Sequence, residues 1–169
     1  MNLVNINFIP LNIQLKKIQE SERSLLEQLM ISYFKEIDPD KILKEGELEV
    51  LDYPFLEGYF GEEKRIPFWA LSGNVIVGYA LINDYIINEN FAAKWSIAEF
   101  CIKPEFRKQG AGMSLAKLLF EKFSSSWEVR TSIQNVGAIA FWRNVIQKQN
   151  LILHTEEERA GELIFNFKL

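Results

Sequence analysis

Between Ala93 and Ile133 the chain reads AKWSIAEFCI, then a glycine-rich turn, a helix-like run, and WEVRTSI. No other segment limits the fold as much. Two strands joined through a helix run parallel, because the chain is carried back along the sheet before the second strand starts. The middle of the chain is otherwise mostly hairpin-connected. IPFWAL and VIVGYALI flank Ser72-Gly73-Asn74, residues that tolerate the positive φ of a tight hairpin, so this pair is antiparallel. A single mixed, mostly antiparallel sheet is expected.

The remaining elements fit around that sheet. Val4 to Leu11 alternates as a first strand. Ser21 stands where it would cap a helix carrying Leu25, Leu26, Leu29, Met30, Tyr33, Phe34 and Ile37 at helical spacing, and Asp38-Pro39 ends it. A less regular helical region is expected from Glu45 to Phe60, interrupted by Pro54 and Gly58. Met113 to Phe123 and Val136 to Lys148 read as helices, and LILHT and ELIFNFKL as closing strands. The sum is an α/β (α+β) chain of about seven strands and about four helices, with helices on both faces of one sheet.

Residues 1–169 contain no repeat, low-complexity tract or linker, so one domain is expected. At 48% hydrophobic and 25% charged residues the chain can bury a sizeable core. A net charge of −4 argues against a general nucleic-acid binder. The single cysteine, Cys101, cannot form an internal disulfide, and the opening MNLVNINFIPLNIQL has neither a basic leader nor a cleavage site. No apolar run reaches the length of a membrane span. A cytoplasmic protein is expected, acting without membrane or nucleic acid. No metal is expected either, since no His/Cys cluster occurs.

The stretch CIKPEFRKQGAGMSL bears most directly on chemistry. A helix N-terminus presents unpaired N–H groups and the positive end of the macrodipole. Glycines let an anion approach the backbone, and Arg107 and Lys108 add charge, which suits a phosphate or pyrophosphate. An ordinary solvated turn has the same local features. The P-loop pattern is absent, and a dinucleotide fingerprint would need glycine where Leu115 stands, closer to the strand end.

A third pattern fits. Arg107-x-x-Gly110-x-Gly112 after a strand resembles the coenzyme A pyrophosphate loop of the GNAT superfamily of N-acetyltransferases. The resemblance continues in Asn135-Val-Gly-Ala138-Ile-Ala-Phe141-Trp142 and is specific from Ile97 to Ile146. WEVR with the downstream Asn and Phe-Trp also looks like a group of bacterial predicted acetyltransferases. The resemblance implies a GNAT-like fold, acetyl-CoA as co-substrate, and direct acetyl transfer to a primary amine in a ternary complex. It implies backbone contacts to the pantetheine arm from Phe100, Cys101 and Ile102, between strands that splay. It implies a pyrophosphate held by Arg107, Lys108, Gln109, Gly110, Ala111, Gly112, Met113 and Ser114, mainly through N–H groups. Asn135 would reach the pantetheine while capping its helix.

The transfer needs an amine that has lost its proton and a stabilised oxyanion. Glu99 is the candidate base, its alternative being a carboxylate paired with a basic residue such as Arg130. The backbone N–H near Ile102 is the candidate oxyanion donor. Many relatives have tyrosine, a proton donor to the leaving thiolate, where this chain has Trp142. An indole does not surrender its proton, so Trp142 stabilises sulfur, walls the site or belongs to the core. Tyr85 or water would substitute, or no acid is needed. A Cys101–His154 pair has no support from spacing, and Cys101 reads as a small buried hydrophobe.

The acceptor side holds Glu45, Glu47, Glu49, Asp52, Tyr53, Phe55, Glu57 and Tyr59, with Asp84, Tyr85, Glu89 and Phe91. Acid mixed with aromatics suits a small cationic amine, and a solvated acidic face is the plainer alternative. The apolar IFNF near the end would support a homodimer. A non-catalytic acyl-CoA-binding or interaction module is the competing reading, motivated by Trp142.

Overall fold

A computed structural model describes residues 11–149 and 152–169. Seven strands form one sheet: β1 (Ile13–Lys17), β4 (Ile66–Ser72), β5 (Val75–Asn83), β6 (Trp95–Ile102), β7 (Ser126–Ser132), β8 (Leu153–Arg159) and β9 (Glu162–Lys168). Their order is β1-β4-β5-β6-β7-β9-β8. Every neighbouring pair is antiparallel except β6 and β7, the pair joined through α3 (Ala111–Lys122).

Helices cover both faces. α1 (Arg23–Ile37) and the single turn α2 (Gly58–Gly61) pack on one, and α3 and α4 (Val136–Gln147) on the other. The α3/α4 face is the larger apolar layer, centred on Leu115, Leu119, Trp127, Val145 and Phe165. The α1 face buries Leu26, Met30 and Phe34 against Trp69, Tyr79 and Leu81. These α1 residues recur at four-residue intervals, so they make one stripe along the helix.

Three expectations need correction or placement. The strand expected over Val4 to Leu11 lies outside the described residues apart from Leu11, and the first described strand begins at Ile13. The helical region expected from Glu45 to Phe60 is instead a hairpin, β2 (Ile42–Glu45) with β3 (Leu48–Leu51), followed only by the turn of α2. Gly46 takes φ +68° at its tip. That conformation ends any helix, and LEVL then alternates as a strand does. Ser21 does not cap α1. It lies inside a 3-10 turn (Glu20–Glu22), which Gln19 anchors by donating its N–H to Glu22 Oε2 at 3.0 Å.

The closing strand is not an open interface. β9 is flanked by β7 and β8, and its Ile164, Phe165 and Phe167 are fully buried, so IFNF serves the core. The outer strand is β8, exposed along its whole length. Among the described residues, no helix is long and apolar enough to cross a membrane.

Candidate active site

β6 and β7 start together and then part. Only Trp95–Trp127, Ser96–Glu128 and Ile97–Val129 are paired. Beyond Ile97, β6 continues to Ile102 and β7 to Ser132, each hydrogen-bonded to its other neighbour. The facing edges past that point, including Phe100, Cys101 and Ile102, have no strand between them.

A bulge sets what faces the divergence. Leu81 pairs with Glu99 but Ile82 pairs with Ile97, leaving Ala98 as the extra residue. Strict alternation would place residues 97, 99 and 101 on one face. With the bulge, Ile97 lies in the α3/α4 layer while Ala98 and Cys101 lie on the α1 side, and Glu99 keeps company with Tyr53 and Lys41 there.

Glu99 is nearly sealed, its side chain 10% exposed. Burial pushes its carboxyl up to about 7; Lys41, 4.0 Å away, and the Tyr53 hydroxyl pull the other way. Arg130 is a lesser influence on Glu99 and makes its ion pair with Glu128 at 3.5 Å. Tyr33, Tyr53, Tyr59 and Tyr79 surround this side, all held protonated by burial first of all. Cys101 is buried, which pushes its thiol up to about 12 and removes it as a thiolate nucleophile. His154 is on β8 beside Glu156.

The glycine-rich turn has the expected form. After a 3-10 turn (Pro104–Phe106), Lys108 and Gly110 take φ +58° and +83°, and Gly110 caps α3. Among the described residues, nothing accepts from the N–H groups of Lys108 through Met113. Glycine at 112 has a second reason: an added Cβ would stand 3.0 Å from the Phe141 ring. The helix entrance is therefore packed directly on α4.

Arg107 does not face that row of N–H groups. Its Nε donates to the Ile102 carbonyl at 2.8 Å, and its terminal nitrogens grip the Glu36 carboxylate at 2.6 and 2.8 Å. The guanidinium thus ties the end of β6 to α1. Asn135 caps α4, its Oδ1 accepting from Ala138 N–H at 3.0 Å. Trp142 is buried at 4% exposure, its ring 4.9 Å from both Phe100 and Phe141. It belongs to the α3/α4 layer, whereas the groups around Glu99 belong to the α1 side. Tyr85 is exposed, with the Arg130 guanidinium over its ring at 5.6 Å.

Two participants escaped sequence reasoning. Lys41 follows the helix stop Asp38-Pro39, and no local pattern links it to residue 99. Glu128 is the second residue of WEVR, and its carboxylate is fully buried. It accepts the N–H groups of Ile87 and Asn88 at 3.0 and 2.9 Å, clamping the segment before β6. The register Ser96–Glu128–Asn166 puts three fully buried polar residues in a row across the sheet. No cluster of His, Cys, Asp or Glu suited to a metal occurs among the described residues.

The fold superposes on those of solved proteins described as acetyltransferases. One from Thermus thermophilus superposes with a TM-score of 0.62 at 16% identity, over 94% of this chain and 96% of that one. yncA of Salmonella typhimurium, solved with acetyl-CoA, gives 0.59 at 12% over 92% of each chain. An aminoglycoside acetyltransferase from an uncultured soil metagenomic sample, in complex with sisomicin, gives 0.59 at 14% over 87% and 96%. At such identities the likeness concerns the fold. The family model of the GNAT acetyltransferases matches residues 25–145, and the chain belongs to that family. A search of curated protein sequences finds no significant match.

Proposed function

We propose that the chain is one catalytic domain that transfers an acetyl group from acetyl-CoA to a primary amine by direct attack in a ternary complex. The observation that carries this reading is Glu99, a nearly sealed carboxylate beside strand edges that part after Ile97. The donor set fits acetyl-CoA: unpaired β6 backbone suits the amide groups of a pantetheine arm, and the N–H row from Lys108 to Met113 suits a pyrophosphate. When bound, acetyl-CoA supplies the thioester carbon that the amine attacks.

The chain's own residues do the rest. Phe100, Cys101 and Ile102 hold the arm along β6; Gly110 to Ser114 hold phosphate oxygens; Asn135 adds its remaining amide N–H donors. Glu99 takes the proton of the acceptor ammonium, directly or through water. The N–H of Ile102 points away from β5, since its neighbour Lys103 donates to the Val77 carbonyl, and it meets the charge that develops on the reacting carbonyl oxygen. Trp142 supports Phe100 from behind. As the C–N bond forms the C–S bond would break, and the departing thiolate would take up the second proton that the nitrogen sheds, so no side chain is required as acid. The proposed acceptor is a small cationic amine, supported by exposed carboxylates such as Glu45, Glu47 and Asp52 and by the exposed ring of Phe55.

The test combines calorimetry with coenzyme A and an acetylation screen of amines read by free thiol. Turnover should rise with pH through about 7, because only the ionised Glu99 accepts a proton. Glu99→Gln should abolish that limb and lower turnover about 10²–10⁴-fold, with coenzyme A binding kept. Binding without turnover in both proteins would favour a non-catalytic acyl-CoA-binding module, the reading that Trp142 motivates.

A further inference from the structure

Lys41 ends a single 3-10 turn (Pro39–Lys41) between α1 and β2. Its Nζ lies 4.0 Å from Glu99 Oε1 and 3.8 Å from Asp38 Oδ2. The same ammonium is 4.4 Å from the Phe34 ring centroid and 5.6 Å from that of Tyr53. An ammonium over two aromatic rings and beside two carboxylates is held by all four groups.

The groups facing Glu99 come from every element around it. They are Tyr33 from α1, Asp38 and Lys41 from the turn, Tyr53 after β3, Tyr59 from α2, Tyr79 from β5, Cys101 from β6 and Arg130 from β7. Lys41 and Arg130 are the cations in this set. Arg130 is engaged by Glu128 and Tyr85, whereas Lys41 makes the ion pair with Glu99. A nearly sealed carboxylate without a paired cation takes up a proton, and a protonated carboxyl cannot act as a base.

We propose that Lys41 is a positioning residue for the transfer, keeping Glu99 ionised and aimed before the acceptor arrives, with Asp38 opposing it. This rests on Glu99 serving as base. Lys41 lies on the acceptor's side, so an arriving ammonium meets a carboxylate that is already ionised and able to take its proton.

The test begins with ligand-free protein, so it does not depend on turnover. Carbon-13 NMR follows the carboxyl signal that Glu99→Gln removes, in wild type, Lys41→Met, Lys41→Arg and Asp38→Asn. Lys41→Met should move the Glu99 midpoint up by about one unit, Asp38→Asn should move it down, and Lys41→Arg should leave it near wild type. The rising limb of the pH–rate profile should move by the same amounts, giving about tenfold slower turnover for Lys41→Met below the midpoint and little change well above it. If Lys41→Met fails to fold, the opposite shift in Asp38→Asn and the rescue in Lys41→Arg decide the question. An unmoved midpoint, or shifts of the same sign in Lys41→Met and Asp38→Asn, overturns the proposal. Expected titrations with no turnover in any variant would keep the ion pair and sink the catalytic reading alone.

Discussion

At the scale of single residues, Trp142 separates two jobs that one aromatic often combines. A phenol could both fill the space beside Phe100 and give up a proton, whereas an indole only fills it. Its burial and ring contacts account for it as core. Trp142→Phe should therefore keep the pH–rate profile and coenzyme A affinity, with a modest loss of stability by chemical denaturation. Trp142→Ala should cost about 3–5 kcal/mol in the same measurement. A profile that loses a limb in Trp142→Phe would show that the indole takes part in the chemistry. Arg107 makes a related point: the arginine of a phosphate-loop pattern here spends its guanidinium on Glu36 and the Ile102 carbonyl. That side chain thereby joins α1 to the end of β6.

At the scale of elements, the segment between β5 and β6 is docked on one buried carboxylate. Glu128 accepts N–H groups from Ile87 and Asn88, so Glu128→Gln should speed amide exchange at those two positions more than at the α3 amides. Hydrogen bonds to a charged group contribute about 1.5–3 kcal/mol each, so the loss should also appear as lower global stability. Unchanged exchange at Ile87 and Asn88 would refute the clamp. Elements whose neighbours are close in sequence were the legible ones. The hairpin around Gly73, the strand–turn–helix entry to α3 and the Asn135 cap all follow from local chemistry. The β2–β3 hairpin was missed because KEGELEV is charged enough to pass for a helix face, and Gly46 alone marks the turn. The Ala98 bulge leaves no mark in WSIAEFCI, since it arises from pairing with β5. Lys41 and Glu128 were invisible for the same reason: their partners lie 58 and about 40 positions away, and only the fold brings them together.

At the scale of the whole molecule, the sheet is two antiparallel halves, β1-β4-β5-β6 and β7-β9-β8, joined by three parallel residue pairs and by α3. A ligand seated between the halves would act as a brace. Coenzyme A at about a hundred times its dissociation constant should add about 2.7 kcal/mol, a rise in Tm of roughly 5–10 °C for a chain of this length. Amide protection should appear at Phe100–Ile102 and at the entrance to α3 together; protection confined to α3 would mean that only the phosphates are held. The outer strand of the second half has a separate consequence. β8 carries Glu156, Glu157 and Glu158 in succession, and alternation sends them to both surfaces of the ribbon. Two copies approaching β8 to β8 would bring like charges together on either side of the seam. The open edge is thereby guarded against runaway sheet growth by repulsion, with no covering helix needed.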